Sequence, residues 1–213
     1  MKRALLLLLS WTLAAFALGA HAADPQVGKH YTLVNPPQNT STAGKVEVLE
    51  FFSYGCPHCK DINPLLHEWT AKQPKDVVVR RVPVSFGRPA WARLAKIYYA
   101  LEATGNLEKL DNEVFKALHD QRINFATDES VVQWVASKGV DAKKFADAMN
   151  GFSIQSQVQR GDQAVVAYRI GGVPSLAVDG RFLLKNEAAA NSVELLQFTD
   201  ALINQARNEQ RKK

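Results

Sequence analysis

Two cysteines are all that this 213-residue chain carries, and they sit close together, at Cys56 and Cys59. So few exclude a scaffold stapled by several disulfides, and they leave no second pair for a structural zinc site, which draws four ligands from spaced pairs. A strong charge of one sign is missing too. The chain has 26 Lys and Arg against 21 Asp and Glu. No basic stripe with interleaved aromatics runs through it, so nucleic acid is not an expected partner. Internal repeats, a heptad seam and low-complexity blocks are also absent, which sets aside solenoids, coiled coils and disordered architectures. Long apolar runs are missing except at the very start.

That start has the three parts of a secretory signal peptide: basic Met1-Lys2-Arg3, an apolar run from Ala4 to Leu9, and the small-residue end Ala20-His21-Ala22. Residues 1–22 are expected to be removed, with cleavage after Ala22. A membrane anchor is the competing reading. Ser10 and Thr12 interrupt the apolar core, however, and the Ala-X-Ala end suits a peptidase better than a stop-transfer flank. Losing Lys2 and Arg3 takes 26 basic side chains to 24 against 21 acidic, so the remaining 191 residues carry only +3. The end Arg211-Lys212-Lys213 reads as a solvated tail. Export permits disulfides, and an exported chain whose two cysteines lie in Cys-X-X-Cys makes better sense as a maker of disulfides than as a user.

The pair is Cys56-Pro57-His58-Cys59, which follows the apolar run from Val46 to Phe52 and opens a segment with helical spacing. A strand, a short turn at Tyr54-Gly55 and a helix beginning at the first cysteine place Cys56 where backbone N–H groups are unpaired and the helix dipole favours an anion. Its pKa should fall well below the usual value of about 8.5, and the thiolate is the nucleophilic form. His58 can add a positive charge or a hydrogen bond to the sulfur, so the dithiol should prefer the reduced state and oxidise other proteins. A structural disulfide is a poor alternative, because a loop enclosing only Pro57 and His58 contributes little cross-linking stability. An inert reduced pair does not suit an oxidising compartment. Neither an organic cofactor nor a metal is required; the dithiol itself carries the electrons.

Along the rest of the chain, Tyr31 to Val34 reads as an edge strand and Val46 to Phe52 as a central strand buried on both faces. Glu50 is the odd residue there. It is either a strand-end acid reaching water or a partly buried acid beneath the dithiol, with raised pKa, moving protons to and from Cys59. A second strand spans about Asp76 to Val84, giving β-α-β with parallel strands. Arg80 or Arg81 could neutralise Glu50 from that strand, though a surface charge is the commoner reading. From about Pro89 to Tyr168 apolar residues recur at helical spacing, with helices capped by Thr127, Asp141 and Ser153. Trp134 and Phe145 read as core, and His67 and His119 as ordinary structural histidines. Strand signals return at Val173 to Val178, where Pro174, unable to donate to a ladder, belongs at the first position. Asp179-Gly180 then marks a hairpin, and Asn191 with Glu194 opens a last helix.

This order resembles a thioredoxin fold interrupted by a helical domain, an α/β class. The stretches Leu49 to Cys59 and Gly172-Val173-Pro174-Ser175 are similar to those of the DsbA family, exported thiol:disulfide oxidoreductases of Gram-negative bacteria. The resemblance covers essentially all of the chain after residue 22. It implies a thioredoxin-like domain of residues 23–87 and 170–213 with a helical insertion domain of residues 88–169. It also implies roles: Cys56 as the exposed attacking cysteine, Cys59 as the buried partner that resolves the mixed disulfide, His58 as support for the Cys56 thiolate and Glu50 as the buried acid. Val173 and Pro174 would form a cis-proline loop holding the client backbone. The implied protein is a periplasmic monomer that acts on reduced exported proteins and is reoxidised by a DsbB-like membrane quinone reductase. Two other readings remain: a reductase or isomerase of the same compartment, and a non-catalytic module that binds peptides or metal in the groove beside Pro174.

Overall fold

The computed structural model describes residues 24–211. The expected signal peptide and the last two residues of the basic tail lie outside that range.

Strand β2 (Val46–Phe52) is buried along its whole length and organises the sheet. It pairs in parallel with β3 (Val77–Pro83) and antiparallel with β4 (Ser175–Val178); β5 (Phe182–Leu184) and the edge strand β1 (Tyr31–Leu33) complete the order β1-β5-β4-β2-β3. Alternation along β2 sorts its side chains. Val46 and Val48 join Ile62 and Leu66 of helix α1 (Pro57–Ala71) and Leu202 of α7 (Ser192–Gln210), whereas Leu49 and Phe51 pack with Val82 and Tyr168 on the other face. Glu50 therefore shares the α1 face with Val46 and Val48. The parallel register also sets Glu50 directly opposite Arg81.

Five helices lie between β3 and β4: α2 (Pro89–Ala103), α3 (Leu107–His119), α4 (Asp128–Ser137), α5 (Ala142–Met149) and α6 (Phe152–Tyr168). Their apolar faces converge on one core with Phe52 and Tyr54 at its sheet side, and Trp134 and Phe145 are part of it. Thr127 and Asp141 cap α4 and α5, as their side chains and positions predict. Ser153 does not cap α6. The N-cap there is Gly151 in extended conformation, and Ser153 lies in the first turn.

The strands after the inserted helices begin later than expected, β4 by two residues and β5 by one. Strand β4 begins at Ser175, leaving Pro174 just outside the ladder to which it has no N–H to give. The hairpin turn has both Asp179 and Gly180 at positive φ, and β5 starts at Phe182 rather than Arg181. Gly180 is required there by close approach as well as by φ, since a methyl group on it would lie 2.0 Å from the Gln38 carbonyl oxygen. Asn191 caps α7 by accepting from Glu194 N–H at 3.0 Å, while the Glu194 carboxylate reaches back to Ala190 N–H rather than to the cap itself. Among the described residues no helix is long and apolar enough to cross a membrane.

Candidate active site

The turn after β2 delivers the dithiol. Ser53 anchors it, with Cys56 N–H donating to its carbonyl at 3.0 Å and Gly55 N–H to its hydroxyl at 3.2 Å. Cys56 is the N-cap of α1, extended at φ −98° and ψ 119°, and Pro57 takes the first helical position, where a missing N–H costs nothing. No acidic side chain occupies the first turn. The free N–H groups there meet the Cys56 sulfur instead.

Both cysteines are free thiols in this structure, and Cys56, expected to be exposed, is itself buried at 6% exposure beneath the Val173 carbonyl contact. Their surroundings push the two in opposite directions. Cys56 is lowered from 9.0 to about 6: the Cys59 thiol donates to it, burial opposes, and the backbone N–H groups of Cys59 and His58 and then the His58 charge add to the lowering. Cys59 is 0% exposed, and burial first, then its donation to Cys56, hold its thiol far above the usual range, with the charge of Glu50 adding to the rise. One sulfur is poised as thiolate and leaving group. The other keeps its proton.

Across a gap in sequence of 117 positions, the Cys56 thiol donates to the Val173 carbonyl at 3.2 Å. The Val173–Pro174 bond is cis, as is Asn35–Pro36. Asn186 Nδ2 donates to the Pro174 carbonyl and steadies the loop. A groove of about 420 Å³ runs beside it, lined by His58, Ile62, Val173, Pro174 and Leu195 among others. His58 is exposed at its rim.

Glu50 lies below, 0% exposed, with Oε2 accepting from Arg81 Nε at 2.5 Å. Burial raises its pKa while the Arg81 charge and hydrogen bond oppose the rise. The reading of Glu50 as a strand-end acid in water is thus excluded, and so is the surface reading of Arg81, whose side chain is only 12% exposed. Arg80 does remain half-exposed and pairs with Glu47.

Of the six residues singled out in sequence, Cys56 and Cys59 form the dithiol, and Glu50, His58, Val173 and Pro174 lie around it. Sequence reasoning missed the polar centre beneath it. Asp111 of α3 accepts from Tyr54 Oη at 2.6 Å, from Asn63 Nδ2 at 3.1 Å, from Arg81 Nη1 at 2.8 Å, and meets His67 Nε2 at 2.9 Å. Burial would raise this carboxyl, but His67, Arg81, Tyr54 and Asn63 hold it well below the usual carboxylate range. Its signal was present in sequence: Asp111 falls four residues after Leu107 and three before Val114, on the apolar face of α3. His119, also read as ordinary, meets the Tyr54 carbonyl with Nε2 at 2.7 Å and so braces the redox turn. Among the described residues no group of three or more His, Cys, Asp or Glu side chains is disposed to hold a metal ion.

Comparison with known proteins agrees with this geometry. The model of the DSBA-like thioredoxin domain matches residues 47–197. The thiol:disulfide interchange protein DsbA of Bordetella parapertussis is 40% identical over 204 residues, covering 94% of this chain and 96% of the relative. The protein of the same name from Pseudomonas aeruginosa is 35% identical, covering 90% of each. Its crystal structure superposes with a TM-score of 0.84 at 34% identity, over 88% of this chain and 97% of that one. Reduced DsbA1 from Neisseria meningitidis gives a TM-score of 0.79 at 26% identity, over 90% and 100%. The chain belongs to the DSBA-like thioredoxin domain family and is a thiol:disulfide oxidoreductase with a thioredoxin fold.

Proposed function

We propose that this enzyme works as an oxidant, introducing disulfides into exported proteins by giving up the Cys56–Cys59 disulfide through a mixed disulfide held at Cys56. The observation that carries this direction is the opposed tuning of the two sulfurs, Cys56 lowered to about 6 and Cys59 raised. A client thiolate attacks the Cys56 sulfur of the oxidised enzyme, forming a client–Cys56 bond and expelling Cys59. Cys59, a poor thiolate in its buried site, takes a proton. The client's second thiolate then attacks the client sulfur of the mixed disulfide, and Cys56 leaves as a stable thiolate. Two electrons have moved from the client dithiol to the enzyme.

In this reading Glu50 supplies the proton to Cys59 and removes it again on reoxidation. Its burial and raised pKa, and its charge acting at Cys59, support that role. Val173 and Pro174 hold the client backbone, supported by the Cys56 contact and the groove alongside. His58 assists the thiolate, but mainly through its backbone N–H, its charge being the smallest of the named contributions. The enzyme acts in the periplasm as a monomer, with residues 88–169 as an insertion domain in the thioredoxin-like body. A DsbB-like membrane quinone reductase returns it to the disulfide form.

Equilibration with glutathione redox buffers tests the direction. A potential near about −120 mV, the value that belongs to DsbA proteins themselves, fits an oxidant; one near about −270 mV, as in thioredoxin, would make this enzyme a reductase.

A further inference from the structure

Helix α3 is part of the inserted helices, yet one of its side chains enters the polar centre under the dithiol. Asp111 is 1% exposed, between Leu110 and Val114, whose side chains belong to the helical core. A carboxylate buried in such company is costly unless every lone pair is matched. Here four donors converge on it from three other elements: Tyr54 in the turn before Cys56, Asn63 and His67 on α1, and Arg81 on β3.

Arg81 connects this carboxylate to Glu50. Its guanidinium gives Nε to Glu50 and Nη1 to Asp111, and it lies 4.0 Å over the Phe52 ring. Glu50 Oε1 and Arg81 Nη2 are buried without a hydrogen-bond partner. The Glu50–Arg81 pair thus has a single side-chain bond of its own, and the second fixed point of the guanidinium is Asp111.

We infer that Asp111 is a positioning residue of the redox centre, the strut through which the inserted helix α3 fixes Arg81 against Glu50 and so governs proton exchange between Glu50 and Cys59. The inference rests on the proposed role of Glu50. Its physical basis is competition for one cation. With Asp111 ionised, Arg81 divides its charge between two carboxylates; with Asp111 neutral, the whole charge favours the Glu50 carboxylate. The direction of Asp111's influence on Glu50, upward, agrees. The charged and titratable groups facing Glu50 are Arg81 from β3, Asp111 from α3 and His67 and Cys59 from α1. Those facing Asp111 are Tyr54, His67 and Arg81, and Tyr98 of α2 lies within the field of both carboxylates.

The test uses the chain from residue 23 onward in its reduced form, with side-chain carboxyl titrations followed by 13C NMR and the pH profile of disulfide transfer to a reduced two-cysteine peptide. In Asp111→Asn, whose amide oxygen can still accept from Arg81 Nη1 but carries no charge, the Glu50 carboxyl should titrate lower by on the order of one pH unit, and the limb of the rate profile that disappears in Glu50→Gln should move toward acid by the same amount. His67→Ala alters a half-exposed residue and leaves Asp111 less compensated, so the same limb should move the other way. A Glu50 titration unchanged in Asp111→Asn, or in His67→Ala should Asp111→Asn not fold, overturns the role of Asp111. A wild-type pH profile in Glu50→Gln overturns instead the reading of Glu50 as proton carrier. The two failures are therefore separable.

Discussion

The Cys56 sulfur lies 3.2 Å from the carbonyl oxygen of Val173, a residue on the far side of the inserted helices in sequence. Only the thiol can use this contact, since a thiolate has no proton to give and faces a carbonyl oxygen with like partial charge. Preference for the thiolate must come from the other contacts of the same sulfur, the Cys59 thiol and the N–H groups at the start of α1. The contact also places the Cys56 sulfur within one hydrogen bond of the loop before β4.

A first prediction concerns stability. The folded pKa of Cys56, about 6, lies below its ordinary 9.0. The stabilisation is therefore fully present above the unfolded thiol's pKa and is lost as pH falls through about 6; by the 1.36 kcal/mol per pKa unit rule it amounts to roughly 3–4 kcal/mol. The disulfide form has no Cys56 thiol and no such contribution. Urea unfolding of both forms should show the reduced enzyme gaining on the oxidised one between pH 5 and 8. A difference that stays flat over that range would rule out the thiolate assignment.

The second prediction separates the supports of that thiolate. Donation by the Cys59 thiol is the largest, ahead of the N–H groups and of the His58 charge. Cys59→Ala should raise the Cys56 pKa more than His58→Ala does, and Cys59→Ser, which keeps a hydroxyl donor, should lie between Cys59→Ala and wild type. Thiolate absorbance at 240 nm, followed against pH, gives all three. Were His58→Ala to cause the largest rise, the imidazolium rather than the cysteine pair would control the site.

Arg81→Met supplies the third. Arg81 stands between Glu50 and Asp111, whose side chains are 0% and 2% exposed, so its removal leaves Glu50 buried without its side-chain partner, takes one of four donors from Asp111, and should cost about 3–5 kcal/mol. In the variant the Glu50 pKa, already raised, loses its chief opposing influence. A carboxyl whose folded pKa exceeds its unfolded value contributes stability at low pH and loses it as pH rises through the folded pKa. The variant should therefore be least impaired near pH 4–5 and most impaired at neutral pH. A loss under about 1 kcal/mol at pH 7 would mean the pair is solvated, as surface pairs are.

What sequence could reveal here followed from periodicity and from chemistry borne by neighbouring residues. The apolar run of β2, the caps Thr127 and Asp141, and the Cys-X-X-Cys pair each carry their signal within a few positions. Arg81 and Asp111 do not. Arg81 became a buried cation because the parallel register placed it opposite Glu50, and register depends on pairing that no local window contains. Asp111 was visible only as a charge on an apolar face, and its partners lie 30 to 57 positions away. Ser153 misled for a related reason: a good capping residue stood two places after a glycine that reached extended conformation first.

The last prediction reverses a standard propensity. Replacing an interior helical glycine by alanine normally stabilises by about 1 kcal/mol, because glycine loses more backbone entropy on folding. Gly161 is interior to α6 and buried, yet a methyl group on it would lie 2.9 Å from the Pro83 carbonyl oxygen at the end of β3. That neighbour is backbone and cannot swing aside. Next to it Asp162 accepts from Ser85 N–H at 2.8 Å and from the Ser85 hydroxyl, tying α6 to the segment after β3. Gly161→Ala should push the helix off the strand, stretch this tie and destabilise by about 1–3 kcal/mol. Gln163→Ala, exposed on the same helix, should be neutral or slightly stabilising and serves as the propensity control. Thermal melts of the two variants decide it. A stabilised Gly161→Ala would mean that α6 is free to shift against the sheet, and that the inserted helices are joined to it more loosely than this packing requires.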